Sequence, residues 1–211
     1  MAFFLTKTCF VHTPKCAGRW IKKYLQQSVT ITDREYKGTL GEKNHEHYAP
    51  SWDELGDKKP FAFVRHPITW LASLHNHRMR KKSAYATNGH WFGDKFPLEK
   101  IGDNDWHQFV KNVCDYPNWI QEYFDMYVGP YQDNIEIGKS EAVEQELMRI
   151  LDKLGEPYQK DKILGKGKEP HRARPLGTMS RLRELSKQEI NNLYDTQKIT
   201  FEKYGYTKDF S

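Results

Sequence analysis

A chain of 211 residues with a net charge of +5, 14% aromatic side chains and a mean hydropathy of −0.86 is long enough for one folded domain and too rich in rings for a disordered polymer. No apolar stretch reaches the ~20 residues that cross a bilayer, and the short apolar start, interrupted by Lys7 and preceded by no basic region, does not read as a secretory leader. Cys9, Cys16 and Cys114 form neither a disulfide framework nor a zinc spacing, so a reducing, cytoplasmic setting is expected.

In chain order, residues 8–12 read as a buried strand and 17–27 as a helix. Residues 30–59 are polar and irregular. A second buried strand follows at 61–65, then a helix over 68–82 and a glycine- and aromatic-rich loop over 83–102. The run 103–114 predicts a helix capped by Asp103 or Asn104, with Trp106, Phe109, Val110 and Val113 on one face. Another helix covers 117–127. A short third strand at 134–138 leads into a helix over 140–154, where Val143, Leu147, Ile150, Leu151 and Leu154 fall in register. Ser186 and Glu189 form a capping box for a last helix that runs to Tyr204 and ends at Gly205. Strands alternating with helices predict an α/β fold with a mainly parallel central sheet flanked by helices. The string His75-Asn-His77 is expected on a helix surface.

Two strand ends carry the chemistry. The first is Val11-His-Thr-Pro-Lys-Cys-Ala-Gly-Arg-Trp20 and the second Phe63-Val-Arg-His-Pro67. Each sets fixed positive charge where a helix begins, and helix N-termini favour anions through unpaired N–H groups and the macrodipole. Small residues at Cys16, Ala17 and Gly18 let backbone N–H groups approach a phosphate. The first loop is not a Walker A loop, because its lysine precedes the glycine and no Ser/Thr follows to hold Mg²⁺. Alone, it reads equally as an ordinary strand-to-helix turn with a solvated lysine. A nucleophilic Cys16 is disfavoured, since the Cys-x5-Arg phosphatase spacing places Lys22 where arginine is required.

Together, Pro14-Lys-Cys-Ala-Gly-Arg-Trp20 and Phe63-Val-Arg-His-Pro67 with Ser73 resemble the two cofactor motifs of sulfotransferases that use 3′-phosphoadenosine 5′-phosphosulfate (PAPS), in the carbohydrate-type branch. Weaker likenesses lie at Trp106-His-Gln-Phe-Val110, Ile137-Gly-Lys-Ser-Glu-Ala-Val143 and Leu185 to Tyr206. The resemblance implies a P-loop-NTPase-like sulfotransferase fold. It implies that Lys15 contacts the phosphosulfate, that Cys16, Ala17 and Gly18 offer backbone N–H groups, and that Arg65 and Ser73 hold the 3′-phosphate. Trp20 falls where some members stack a tryptophan on adenine, a position that core packing explains as well. Arg19 departs from the family, which has Thr or Ser there; it replaces a hydroxyl donor by a cation or signals altered cofactor use.

The resemblance also implies a histidine base between the two loops, and His47 of His45-Glu-His47 is that residue; a solvated loop is the competing account. The donor would be PAPS and the product PAP, with no metal required. The acceptor would be a hydroxyl (or amine) of a sugar or small molecule, approached through the aromatic stretch 85–96. Between Lys160 and Arg183 eight Lys/Arg against two acidic residues give a local +6. Gly165, Gly167, Pro170 and Pro175 break it into a loop, which reads equally as a solvated segment or, by the resemblance, as a cover over the nucleotide through Lys166, Lys168, His171, Arg172 and Arg174. Nucleic acid and membrane are not expected partners. A PAP-binding module without turnover, a P-loop kinase preferring ATP with Mg²⁺, and a salt-sensitive nucleic-acid binder are the competing readings.

Overall fold

The structure is a computed structural model that describes residues 2–33, 49–80, 101–165 and 176–210. The chain divides into two compact units, Met1–Arg65 with Tyr123–His171, and His66–Glu122 with Arg172–Ser211.

The first unit holds a five-stranded sheet in the order β3-β1-β2-β4-β5. Its strands are β1 (Ala2–Leu5), β2 (Thr8–Val11), β3 (Ile31–Asp33), β4 (Lys59–Val64) and β5 (Glu136–Lys139). β2, β4 and β5 are parallel neighbours, as the alternating pattern predicts. β1 and β3 add antiparallel pairings, so the sheet is mixed. Every residue of β2 is buried, which is why it reads as a continuous apolar run and not as an alternation. Phe10 anchors this core, with its ring 5.4 Å from Phe61 and 6.3 Å from Phe3. Helix α1 (Gly18–Ser28) buries Trp20, Ile21, Tyr24 and Leu25. The short α2 (Trp52–Leu55) starts at a Ser51–Glu54 capping box.

Thr6 and Lys7 turn β1 into β2, and this turn is gripped on both sides. The buried carboxylate of Glu156 accepts from the N–H groups of Thr6 (2.9 Å) and Lys7 (2.8 Å) and from the Thr8 hydroxyl (3.0 Å). Lys58 Nζ donates to the carbonyls of Leu5 and Thr6. Gly155, at φ 70°, ends the helix over Val143–Leu154 in the left-handed conformation, and the Glu156 N–H donates back to Leu151 O at 2.9 Å. This glycine-terminated ending is what turns Glu156 toward the hairpin.

The second unit is helical among its described residues: α3 (Pro67–Arg80), α4 (Trp106–Cys114), the start of α5 (Trp119–Val128), and, following α6 (Val143–Leu154) of the first unit, α7 (Leu176–Glu184), α8 (Lys187–Thr196) and α9 (Lys198–Lys203). α3 packs on α7, and α4 on α8. Trp70 meets Trp119 at 5.8 Å between ring centres.

Several expectations are corrected. Asp105, not Asp103 or Asn104, caps α4 by accepting from Gln108 N at 2.8 Å, because Asp103 Oδ1 is engaged by Asp105 N. The predicted helix over 140–154 begins with a 3-10 turn (Ser140–Ala142). The last helix breaks at the buried Gln197, whose side chain accepts from Ile120 N and donates to the carbonyls of Val113 and Tyr116. His75 is fully buried against Trp106 and Phe109, not on a helix surface. Its Nε2 donates to Asp103 O at 3.0 Å, and burial lowers its pKa to about 4, so it is neutral at pH 7.

Among the described residues no helix is long and apolar enough to cross a membrane, and no cluster of three His, Cys, Asp or Glu side chains could hold a metal ion.

Candidate functional site

The parallel pair β2 and β4 brings the loop after β2 and Arg65, which follows β4, to the same end of the sheet, because parallel neighbours present their carboxyl ends together. Beyond β2 the chain makes a compact loop. Thr13 N donates to Val11 O at 3.1 Å, and Cys16 N to Thr13 O at 3.4 Å. Lys15 (φ 65°) and Ala17 (φ 59°) both adopt the left-handed conformation, with Cys16 of ordinary hand between them. That conformation costs a non-glycine residue on the order of 1 kcal/mol or more. Alternation of hand along successive residues turns backbone N–H groups into one concavity, a known anion-binding arrangement.

Ala17 is the N-cap of α1 and has no side-chain capping bond. Its carbonyl accepts from Trp20 N and Ile21 N, whereas the N–H groups of Ala17, Gly18 and Arg19 donate to no protein acceptor among the described residues. The Thr13 hydroxyl, at 1% exposure, likewise lacks a protein partner. Lys15 and Arg65 are half-buried. Arg65 Nη1 reaches to 3.5 Å from the Lys15 carbonyl oxygen, so the cation following β4 lies against the loop following β2.

Cys16 is buried beneath this loop. Burial drives its thiol well above the ordinary value, with a further push from Glu141 and against the pull of Arg65 and Lys15. A neutral thiol is no nucleophile, in keeping with its reading as a small loop residue. Tyr127, pushed up to about 12 mainly by burial, also lies within electrostatic reach of Cys16. Glu141 and Tyr127 thus join a neighbourhood that spacing alone did not assemble.

Gly18 is required by a close approach. A Cβ there would stand 1.8 Å from His12 Nε2 and 2.0 Å from His12 Cδ2. His12 itself is half-buried.

The remaining predicted residues distribute as follows. Arg19 is exposed on the outer side of α1's first turn and makes no ion pair among the described residues. Trp20 is 4% exposed and lies 4.4 Å from the Tyr24 ring, so it is packed in the core of its unit. Ser73 is half-buried on α3 of the second unit. His66, next to Arg65, donates through Nε2 to Thr207 O at 2.9 Å and packs among Phe201, Tyr206 and Phe210, a structural assignment. His47, the aromatic stretch 85–96 and most of the basic loop (166–175) lie outside the described residues.

A helix start with unpaired N–H groups, preceded by a lysine and approached by the Arg65 guanidinium, is an arrangement that can hold a tetrahedral anion. No protein family profile, curated protein or solved structure matches the chain.

Proposed function

We propose that this chain transfers a sulfuryl group from PAPS to a hydroxyl of an acceptor of the sugar or small-molecule class. One observation supports the reading: after two parallel neighbouring strands, the guanidinium of Arg65 reaches to 3.5 Å from the backbone carbonyl of Lys15, in a loop of alternating hand. A donor set built only of N–H and O–H groups suits the doubly anionic end of such a nucleotide. The absence of a Walker hydroxyl after Gly18 favours a substrate that needs no Mg²⁺ over ATP.

In this reaction the acceptor oxygen attacks sulfur and its proton passes to a base, for which the sequence offers His47. The bond between sulfur and the bridging oxygen breaks, and PAP departs with the electron pair on its phosphate. Lys15 stabilises the charge that grows on that oxygen, and the N–H groups at the start of α1 hold the non-bridging oxygens in place. Arg65 and Ser73 are the candidates for the 3′-phosphate.

Calorimetric titration with PAP, beside ATP plus Mg²⁺, tests the reading. Micromolar PAP binding that Arg65→Ala abolishes supports it, and sulfation of an acceptor from labelled PAPS completes it. A preference for ATP, or no PAP binding, overturns it, while PAP binding with no transfer to any screened acceptor points to a nucleotide-binding module.

A further inference from the structure

The outer face of α1 carries charge that works against the helix itself. Its sequence from Gly18 to Ser28 contains no acidic residue. Arg19, Lys22 and Lys23 crowd its first half, at the positive end of the macrodipole, where Asp and Glu are favoured and cations are not. Arg19 also stands three and four positions from the two lysines, the spacing at which like charges repel. Arg19 and Lys23 are exposed and Lys22 is half-buried. Arg19 and Lys22 make no ion pair among the described residues. The Lys22 ammonium lies 5.6 Å from the centre of the Phe3 ring, which steadies it without cancelling its charge, and Lys23 Nζ donates to Tyr24 Oη at 2.9 Å. The cations continue past the far end of the helix. Gln159 N donates to Ser28 O at 2.8 Å and Tyr158 bridges Val29, which fastens the 3-10 turn Lys160–Lys162 to the end of α1. Lys160 and Lys162 are exposed on that turn with Asp161 between them, and the fully buried Ile163 pins it. The exposed, uncharged Gln26 and Gln27 fill the interval, in a helix that runs about 14 Å from Arg19 to Ser28.

We propose that this basic track binds an acidic polysaccharide, a chain bearing carboxylate or sulfate groups, and presents it as the sulfuryl acceptor. The acceptor role rests on the sulfotransferase reading, whereas the binding surface does not. A single phosphate at the start of α1 has no use for cations a turn further along the outer face or beyond the helix end. A chain of repeated negative charge engages them in series. The track begins at the end of α1 that adjoins the loop proposed to hold the donor, so a chain lying along it leads to that loop. Arg19, exposed where the resemblance implies a hydroxyl, then serves the acceptor and not the cofactor. Single-stranded nucleic acid fits this face poorly, because it calls for aromatic platforms under its bases, and Trp20 and Tyr24, the rings of α1, are buried.

The test measures fluorescence anisotropy of labelled dextran sulfate and polygalacturonate, beside neutral dextran and a duplex DNA, over about 50–300 mM salt. Both acidic chains are expected to bind and neutral dextran is not, with log affinity falling linearly against log salt. Lys22→Gln combined with Lys160→Gln, one change at each end of the track, should flatten that slope by about one for each lysine removed. The same variant should keep its PAP affinity and its urea midpoint, since neither lysine belongs to the anion loop. An unaltered slope in the variant, binding of neutral dextran as tight as that of the acidic chains, or tighter binding of the DNA overturns the proposal. Binding of the acidic chains through these lysines, in a protein that does not bind PAP, keeps the polysaccharide surface and removes the sulfotransferase reading.

Discussion

Gly18 and His12 share a space that holds only one side chain: a Cβ on Gly18 would fall 1.8 Å from Nε2 of the His12 ring. Gly18→Ala must therefore expel the ring or bend the first turn of α1. It is expected to lower stability by about 1–3 kcal/mol, the usual cost of overpacking, and to abolish PAP binding. Adding His12→Ala should restore most of the stability. Urea unfolding of the two variants decides this, and an equally unstable double variant would show that the glycine is needed for another reason.

Lys15 and Arg65 are expected to separate kinetically. If Lys15 takes the role proposed for it, Lys15→Ala should lower kcat by about 10²–10³-fold. Arg65→Ala should act chiefly on nucleotide binding. Arg65→Lys keeps the charge, loses the planar fork, and should recover only part of the affinity. Steady-state rates with labelled PAPS, alongside PAP calorimetry, separate the two effects.

Two histidines of the second unit give pH dependences of opposite sign. Burial depresses the pKa of His75 to about 4 in the folded protein. The unfolded chain then binds the extra proton first, so the stability tied to this neutral ring is complete above about pH 6.5 and drains away as the pH falls toward about 4, by roughly 3 kcal/mol. His107 behaves inversely. Its bond to Glu189 (2.6 Å) raises its pKa, so its contribution is full below its unfolded value and is lost as the pH rises through the folded one. Urea midpoints from pH 4 to pH 8 should show a shallower acid limb in His75→Phe and a smaller loss on the alkaline side in His107→Ala.

Glu156→Gln keeps the shape of the side chain but turns an N–H donor toward the N–H groups of the β1–β2 turn. With three hydrogen bonds at stake, a loss of about 1–3 kcal/mol is expected. Denaturant unfolding measures it, and unchanged stability would mean that Lys58 holds the turn alone.

What the sequence disclosed depended on how local the cause was. β2 and β4 are buried on both faces and so stand out as apolar runs. The Ser186–Glu189 box is complete within four residues, and its predicted cap is present. β1 was missed because Lys7, which sits in the hairpin turn, reads as the interruption of an apolar start. The break at Gln197 is invisible to periodicity, since its cause is a side chain bonded to backbone more than seventy residues away. The surface expectation for His75 failed for a similar reason: its partner is the Asp103 carbonyl, brought close only by packing. At the candidate site, the strand-end pattern singled out Lys15 and Arg65. Nothing in the spacing foretold that His12 would fill the place of a Gly18 side chain, or that Glu141 and Tyr127 would stand near Cys16.

The clamp on the β1–β2 turn also sets an order of events in time. Thr6 and Glu156 lie 150 positions apart, so the carboxylate that seats the hairpin leaves the ribosome after β1 through β5 have all been made. Until then the β1–β2 turn lacks that restraint, and contacts of such long range are the slow ones to close. The hairpin that begins the sheet is therefore fully seated only late in synthesis.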